Sequence, residues 1–75
     1  MNILVVDDEK EITDLIQIYL ENENFIVYKY YSSQDVLRDI DDLKIDLAIL
    51  DVMMPDMDGF SLCNTFQAIR VFLIK

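Results

Sequence analysis

Apolar and polar positions fall in blocks along this chain. Asn2 to Val6 is a compact run of Ile, Leu and Val, the pattern of a strand buried on both faces. Glu9 to about Asn22 carries Ile12, Leu15, Ile16 and Tyr19 at the spacing of one helical face. Asp8, with Glu11 three places on, is expected to supply the N-cap and capping box of that helix. Phe25 to Tyr30 is aromatic and β-branched and predicts a second strand. Ser32 and Ser33 are N-cap residues for a second helix, whose buried side is expected at Val36, Leu37, Ile40 and Leu43. Ile45 to Leu50 predicts a third strand. After the Pro55 loop, Gly59, Leu62, Cys63, Phe66 and Ile69 lie at helical spacing and mark a third helix. The tail, Val71 to Ile74, reads as a strand by composition. No Gly, Pro, Asn or Asp separates it from the helix before it, so continuation of that helix is the expectation.

Strand and helix therefore alternate, with short loops. Such a chain forms parallel strands joined by right-handed crossovers. The expected architecture is α/β, a flavodoxin-like parallel sheet of strand order 2-1-3 with about three helices. The carboxyl ends of strands 1 and 3 then lie side by side at the switch point, where ligands bind in open α/β sheets.

Composition narrows the function. The chain has 75 residues, 53% of them hydrophobic, a high load for a chain that can bury only part of its surface. With 15 acidic and 6 basic residues, no histidine and a net charge of −9, its field repels phosphate backbones. Nucleic-acid binding by this chain itself is not expected. Divalent cations and basic partner surfaces suit it better. A single cysteine, Cys63, excludes an internal disulfide and suits a reducing compartment. No apolar run is long enough to cross a membrane, and the N-terminus has no signal-peptide pattern. A cytoplasmic location is the expectation.

The candidate chemistry lies where the apolar runs stop. Asp7 and Asp8 close the first, and Asp51 closes the third. Carboxylates at the ends of neighbouring buried strands converge although they are distant in sequence. They repel one another unless a cation sits between them. Mg²⁺ suits such a site, with Mn²⁺ as an alternative, because it is hard and takes carboxylate, water and phosphate oxygens. Beside it a carboxylate can act as a nucleophile toward phosphorus. Taken singly, Asp8 is accounted for as an N-cap and Asp7 as a polar strand end. Asp51 is harder to account for in that way, because it puts a charge on a buried strand. Asp56, Asp58, Pro55 and Gly59 have loop and turn roles, and Met53, Met54 and Met57 read as loop packing.

The run Ile3-Leu4-Val5-Val6-Asp7-Asp8-Glu9, followed by Asp46-Leu47-Ala48-Ile49-Leu50-Asp51-Val52-Met53-Met54-Pro55-Asp56-Met57-Asp58-Gly59-Phe60, resembles a bacterial two-component response-regulator receiver domain. It is similar to those regulators that carry a winged-helix DNA-binding output domain. The resemblance covers Asn2 to about Phe66. It implies that Asp51 is the phosphoacceptor, modified by a sensor histidine kinase, and that Asp7 and Asp8 hold Mg²⁺. It implies that Met53 gives the metal its backbone carbonyl, and that Pro55 and Gly59 shape the pocket. The family also uses a Ser/Thr at the end of strand 4, and a Lys and a switch aromatic on strand 5. None of these has a counterpart here, so residues 1–75 are expected to be a partial receiver domain, without the last two strands and helices, and impaired as a switch.

Two functions from different classes follow. One is a phosphoacceptor module of a phosphorelay, not itself an enzyme. The other is a receiver-derived interaction fragment that is not switched. A haloacid-dehalogenase-like phosphatase also uses an aspartyl nucleophile, but its Asp-x-Asp signature needs an acid at position 53, where Met53 stands. In a 2-1-3 sheet the strand Ile45 to Leu50 would present an open apolar edge. A homodimer or higher oligomer through residues 45–50 and the C-terminal segment is therefore expected.

Overall fold

The computed structural model describes residues 1–51 and, as backbone with the side chain of Arg70, residues 70–74. The Pro55 loop and the third helix expected from sequence lie outside the described residues. The elements run β1 (Asn2–Val6), α1 (Lys10–Asn22), β2 (Ile26–Tyr30), α2 (Ser33–Asp39), a 3-10 turn (Ile40–Asp42), β3 (Leu47–Asp51) and β4 (Arg70–Ile74). All strand pairs are parallel, in the order β2-β1-β3-β4. The expected 2-1-3 arrangement is present, with one strand added.

β1 is the centre. Ile3, Leu4, Val5 and Val6 are almost wholly buried, so both of their faces are covered. Leu4 and Val6 form a core cluster with Val36, Ala48 and Leu50, against which Tyr28, Tyr30, Ile40, Leu43 and Ile45 pack. Register is set from the amino end by Asn2. Its N–H donates to the Asp46 carboxylate at 2.7 Å and its side-chain amide to the Lys44 carbonyl at 2.7 Å. Asp46 N–H returns a bond to the Asn2 carbonyl at 2.8 Å. With that end fastened, Val6 pairs with Tyr30 on one side and with Leu50 on the other.

The helices are fixed by local chemistry. α1 ends with Asn24 at φ 68°, a left-handed position that Asn tolerates. Asn24 N–H bonds the Glu21 carbonyl and Phe25 N–H the Leu20 carbonyl, the paired contacts of a Schellman stop. Ser32 caps α2 by accepting from Asp35 N–H at 3.2 Å, as expected. The capping box expected at Asp8 and Glu11 is absent. Glu9 holds the N-cap position, and no side chain caps the helix. Asp7 Oδ1 instead accepts from Glu9 N–H at 2.9 Å.

Helix faces differ from expectation in part. Thr13 is buried on α1 because its hydroxyl donates to the Lys10 carbonyl at 2.9 Å, which satisfies the polar atom inside the helix. Leu15 and Tyr19, expected on the buried face, point outward at 55% and 67% exposure, with Ile18 beside them. Ile12, Ile16 and Leu20 share the half-buried side. On α2, Val36 is buried as expected, whereas Leu37 is exposed.

The tail is the main correction. Residues 70–74 form β4, not a continuation of a helix, and pair in parallel with β3 from Leu47↔Arg70 to Asp51↔Ile74. The unmet backbone groups of β3 supply the reason. A β-branched and aromatic run satisfies them by pairing, and that long-range gain overrides the lack of a local turn signal. The edge expected to be open at residues 45–50 is thus covered within the chain. The ground for a dimer through that edge is removed.

Two predictions follow from the packing. Leu50 is fully buried in the cluster, so Leu50→Ala should lower stability to urea by about 2–5 kcal/mol. The second concerns Tyr30, whose hydroxyl donates to Asp39 Oδ2 at 3.0 Å. Burial first, then the Asp39 contact, raises the Tyr30 phenol above its ordinary value of 10.0. Arg38 first, then Tyr30, holds Asp39 below 3.8. A raised phenol contributes stability that is complete below its unfolded value and is lost as pH rises through the folded one. A lowered carboxyl contributes stability that is complete above its unfolded value and is lost as pH falls through the folded one. Urea midpoints of wild type and Tyr30→Phe, followed from pH 8 upward, should therefore converge in the alkaline range. Parallel curves would remove the Tyr30–Asp39 bond as a stabilising contact.

Candidate metal and phosphoacceptor site

Two neighbouring strand ends bring the carboxylates together. Asp7 follows Val6 directly, and its N–H donates to the Tyr30 carbonyl at 3.1 Å, which continues the β1–β2 ladder by one residue. Asp51 is the last residue of β3, next to Leu50, which pairs with Val6. Asp8 lies in the turn between β1 and α1. One carboxylate oxygen from each of Asp7, Asp8 and Asp51 lies within 4.8 Å of the others. The topology thus unites the three residues singled out from sequence.

Their environments differ. Asp7 and Asp51 are essentially buried, while Asp8 is exposed. Two buried carboxylates at such a separation repel by on the order of 3 kcal/mol at an effective dielectric of about 20. Exposed Asp8 leaves the group open to solvent on one side. The donor set fits a hard divalent cation: all three ligands are oxygens, and the open side leaves room for water. Asp7 is held in place twice, through its N–H on Tyr30 and through Oδ1 on Glu9 N–H. Met53 lies outside the described residues.

Directly after Asp8 in the chain, Glu9, Lys10 and Glu11 line, among the described residues, a cavity of about 370 Å³. The Lys10 ammonium sits 5.2 Å from the centroid of the Tyr31 ring. Sequence reasoning passed over Lys10. The available signal was a lysine two places beyond the acidic pair in a chain with only 6 basic residues.

Comparison with known proteins agrees with the geometry. Residues 3–73 match the family described as the response regulator receiver domain. The chain belongs to that family. It is 54% identical over 65 residues to the regulatory protein VanR of Enterococcus faecium, which covers 87% of this chain and 28% of VanR. The receiver-domain structure from Methanoculleus marisnigri superposes with a TM-score of 0.89 at 29% identity, over 99% of this chain and 65% of that one. The response regulator TrrA of Thermotoga maritima, solved in complex with Mg²⁺–BeF, gives 0.83 at 28% identity, over 96% of this chain and 66% of that one. This receiver chain spans about three tenths of the length of the curated relatives it matches.

If the three carboxylates form one receiver-type metal site, Mg²⁺ and Mn²⁺ should both bind in titration calorimetry. Asp51→Asn and Asp8→Asn should each weaken binding by about tenfold or more, since each removes a charged oxygen ligand. Unchanged affinity in Asp51→Asn would take that residue out of the site.

Proposed function

We propose that this chain is a phosphoacceptor: Asp51 receives a phosphoryl group from a sensor histidine kinase in a Mg²⁺-dependent step. The observation that carries this reading is the convergence of Asp7, Asp8 and Asp51 at the carboxyl ends of β1 and β3. A carboxylate oxygen of Asp51 attacks phosphorus, the P–N bond of the phosphohistidine breaks, and an aspartyl phosphate forms. Asp7 and Asp8 would hold the cation, together with the Met53 carbonyl that the family resemblance implies. When bound, such a cation would offset charge on both nucleophile and phosphoryl group, which otherwise repel. Buried Asp51 has little freedom to rotate away, which keeps its oxygen in place for an in-line approach. In this reading the chain supplies the acceptor and the kinase supplies the phosphoryl group. Any regulatory output, transcriptional in the proteins it resembles, is read by other parts of such proteins.

A second reading, as an interaction module, has one observation in its favour. Leu15, Ile18 and Tyr19 form an exposed apolar strip on α1, and such strips are used for partner contact. The two readings separate cleanly in one experiment. Incubation with acetyl phosphate and Mg²⁺, read by intact mass, should add a phosphoryl group to wild type and none to Asp51→Asn. Omitting the metal should abolish the addition. A chain that folds and binds Mg²⁺ but gains no mass would leave the interaction reading standing.

A further inference from the structure

An aspartyl phosphate on Asp51 would carry two negative charges into a group that already holds Asp7 and Asp8. A divalent cation held by Asp7 and Asp8 would offset part of that charge, and the remaining phosphoryl oxygens would need a positive partner. Among the described residues, most cations are already engaged or far away. Lys29 is paired with Asp14 at 2.8 Å, and Arg38 with Asp35 and Asp39. Lys44 and Arg70 lie at the opposite end of the sheet: the Lys44 carbonyl meets Asn2, and Arg70 pairs in register with Leu47, the first residue of β3. That leaves Lys10.

We propose that Lys10 is the cationic arm of this site, holding the oxygens of an anionic group carried on Asp51. The inference rests on the phosphoacceptor reading above. Lys10 opens α1, and its Cα is no more than about 7.6 Å from that of Asp8, two peptide units away. Its amine makes no ion pair among the described residues. It rests over the Tyr31 ring, 5.2 Å from the centroid, beside the cavity that Glu9, Lys10 and Glu11 line. Tyr31 follows the last residue of β2, whose carbonyl bonds Asp7 N–H, so the resting place of the amine is at the same end of the sheet as the carboxylates. A cation–π contact at an exposed site is weak, and a four-carbon stem swings freely. Glu9 and Glu11, its neighbours in the chain, put negative charge near this resting place, but a phosphoryl group concentrates more. A charge-assisted bond to phosphoryl oxygens is the stronger contact.

The test uses beryllofluoride as the anion, at saturating Mg²⁺, with bound and free fluoride signals followed by ¹⁹F NMR. Magnesium affinity is measured separately by calorimetry. Lys10→Met should weaken beryllofluoride binding about five- to tenfold and leave Mg²⁺ affinity unchanged or slightly higher. Lys10→Arg should restore the anion affinity to within about twofold. Tyr31→Leu, which frees the amine, should bind beryllofluoride as well as wild type or better. Lys10→Gln provides a second neutral variant should Lys10→Met fold poorly. Equal anion binding by wild type and the neutral variants overturns the role of Lys10 alone. Parallel loss of anion and metal affinity, or a loss in Tyr31→Leu equal to that in Lys10→Met, overturns it too, because the Lys10–Tyr31 contact would then be structural. Failure of Mg²⁺-loaded wild type to bind beryllofluoride would sink the phosphoacceptor reading, and this inference with it.

Discussion

The structure depends on one strand that has no exposed face and no free edge. β1 is hydrogen-bonded to β2 on one side and to β3 on the other, and Ile3 to Val6 are covered above and below. A strand in that position can carry charge only where it stops. Asp7 is the first residue past the last buried apolar side chain, and its N–H still closes the ladder to Tyr30. The same constraint acts on β3, which is apolar until Asp51. Both strands end at the same level because Val6 and Leu50 pair. The register that buries the core therefore also sets the separation of the carboxylates, and a slip of one residue would turn Asp51 to the other face of the sheet.

That register is held from the far end. Asn2 makes three hydrogen bonds with the segment leading into β3, one donated by its N–H, one by its side chain and one accepted by its carbonyl. Asp46, acidic like the site residues, is used there as a partner for backbone and has no part in the cluster. Position along the strand decides the role of each Asp: at the amino end it fastens, and at the carboxyl end it gathers with others.

Much of this was legible in the sequence, for a physical reason. Strands buried on both faces are continuous apolar runs, so β1 and β3 stand out, and the residues that end them stand out with them. Ser32 was legible as a cap because its hydroxyl acts locally, on Asp35 N–H. What was not legible depends on distant partners. β4 reads as a strand by composition, but no turn residue sets it off from the segment before it; its state is decided by the unmet backbone groups of β3, to which it pairs. The outward turn of Leu15 and Tyr19 has a similar origin. Periodicity alone fits more than one apolar stripe on α1, and the sheet selects the one through Ile12, Ile16 and Leu20 because Thr13 can be buried between them with its hydroxyl satisfied. Asp8 was misread as a cap because an acid just before a helix fits that role equally well. Asp7 takes the Glu9 N–H instead, and Asp8 is left exposed beside its two buried neighbours.

The division between buried and exposed acids also bears on what the site can select. Asp7 and Asp51 are already stripped of water by the fold, so a cation that joins them gains contacts whose dehydration has been met during folding. Asp8 keeps its water and leaves one side open, which suits an ion that gives up its hydration shell reluctantly. An enclosed cage of three buried acids would favour a larger, more readily dehydrated ion and would leave no room for a phosphoryl group. A fully exposed trio would bind weakly and without preference. Two acids sealed by β1 and β3 and one at the rim lie between those cases. The arrangement fixes Asp7 and Asp51 in place and would leave a cation bound there partly hydrated on the side of Asp8.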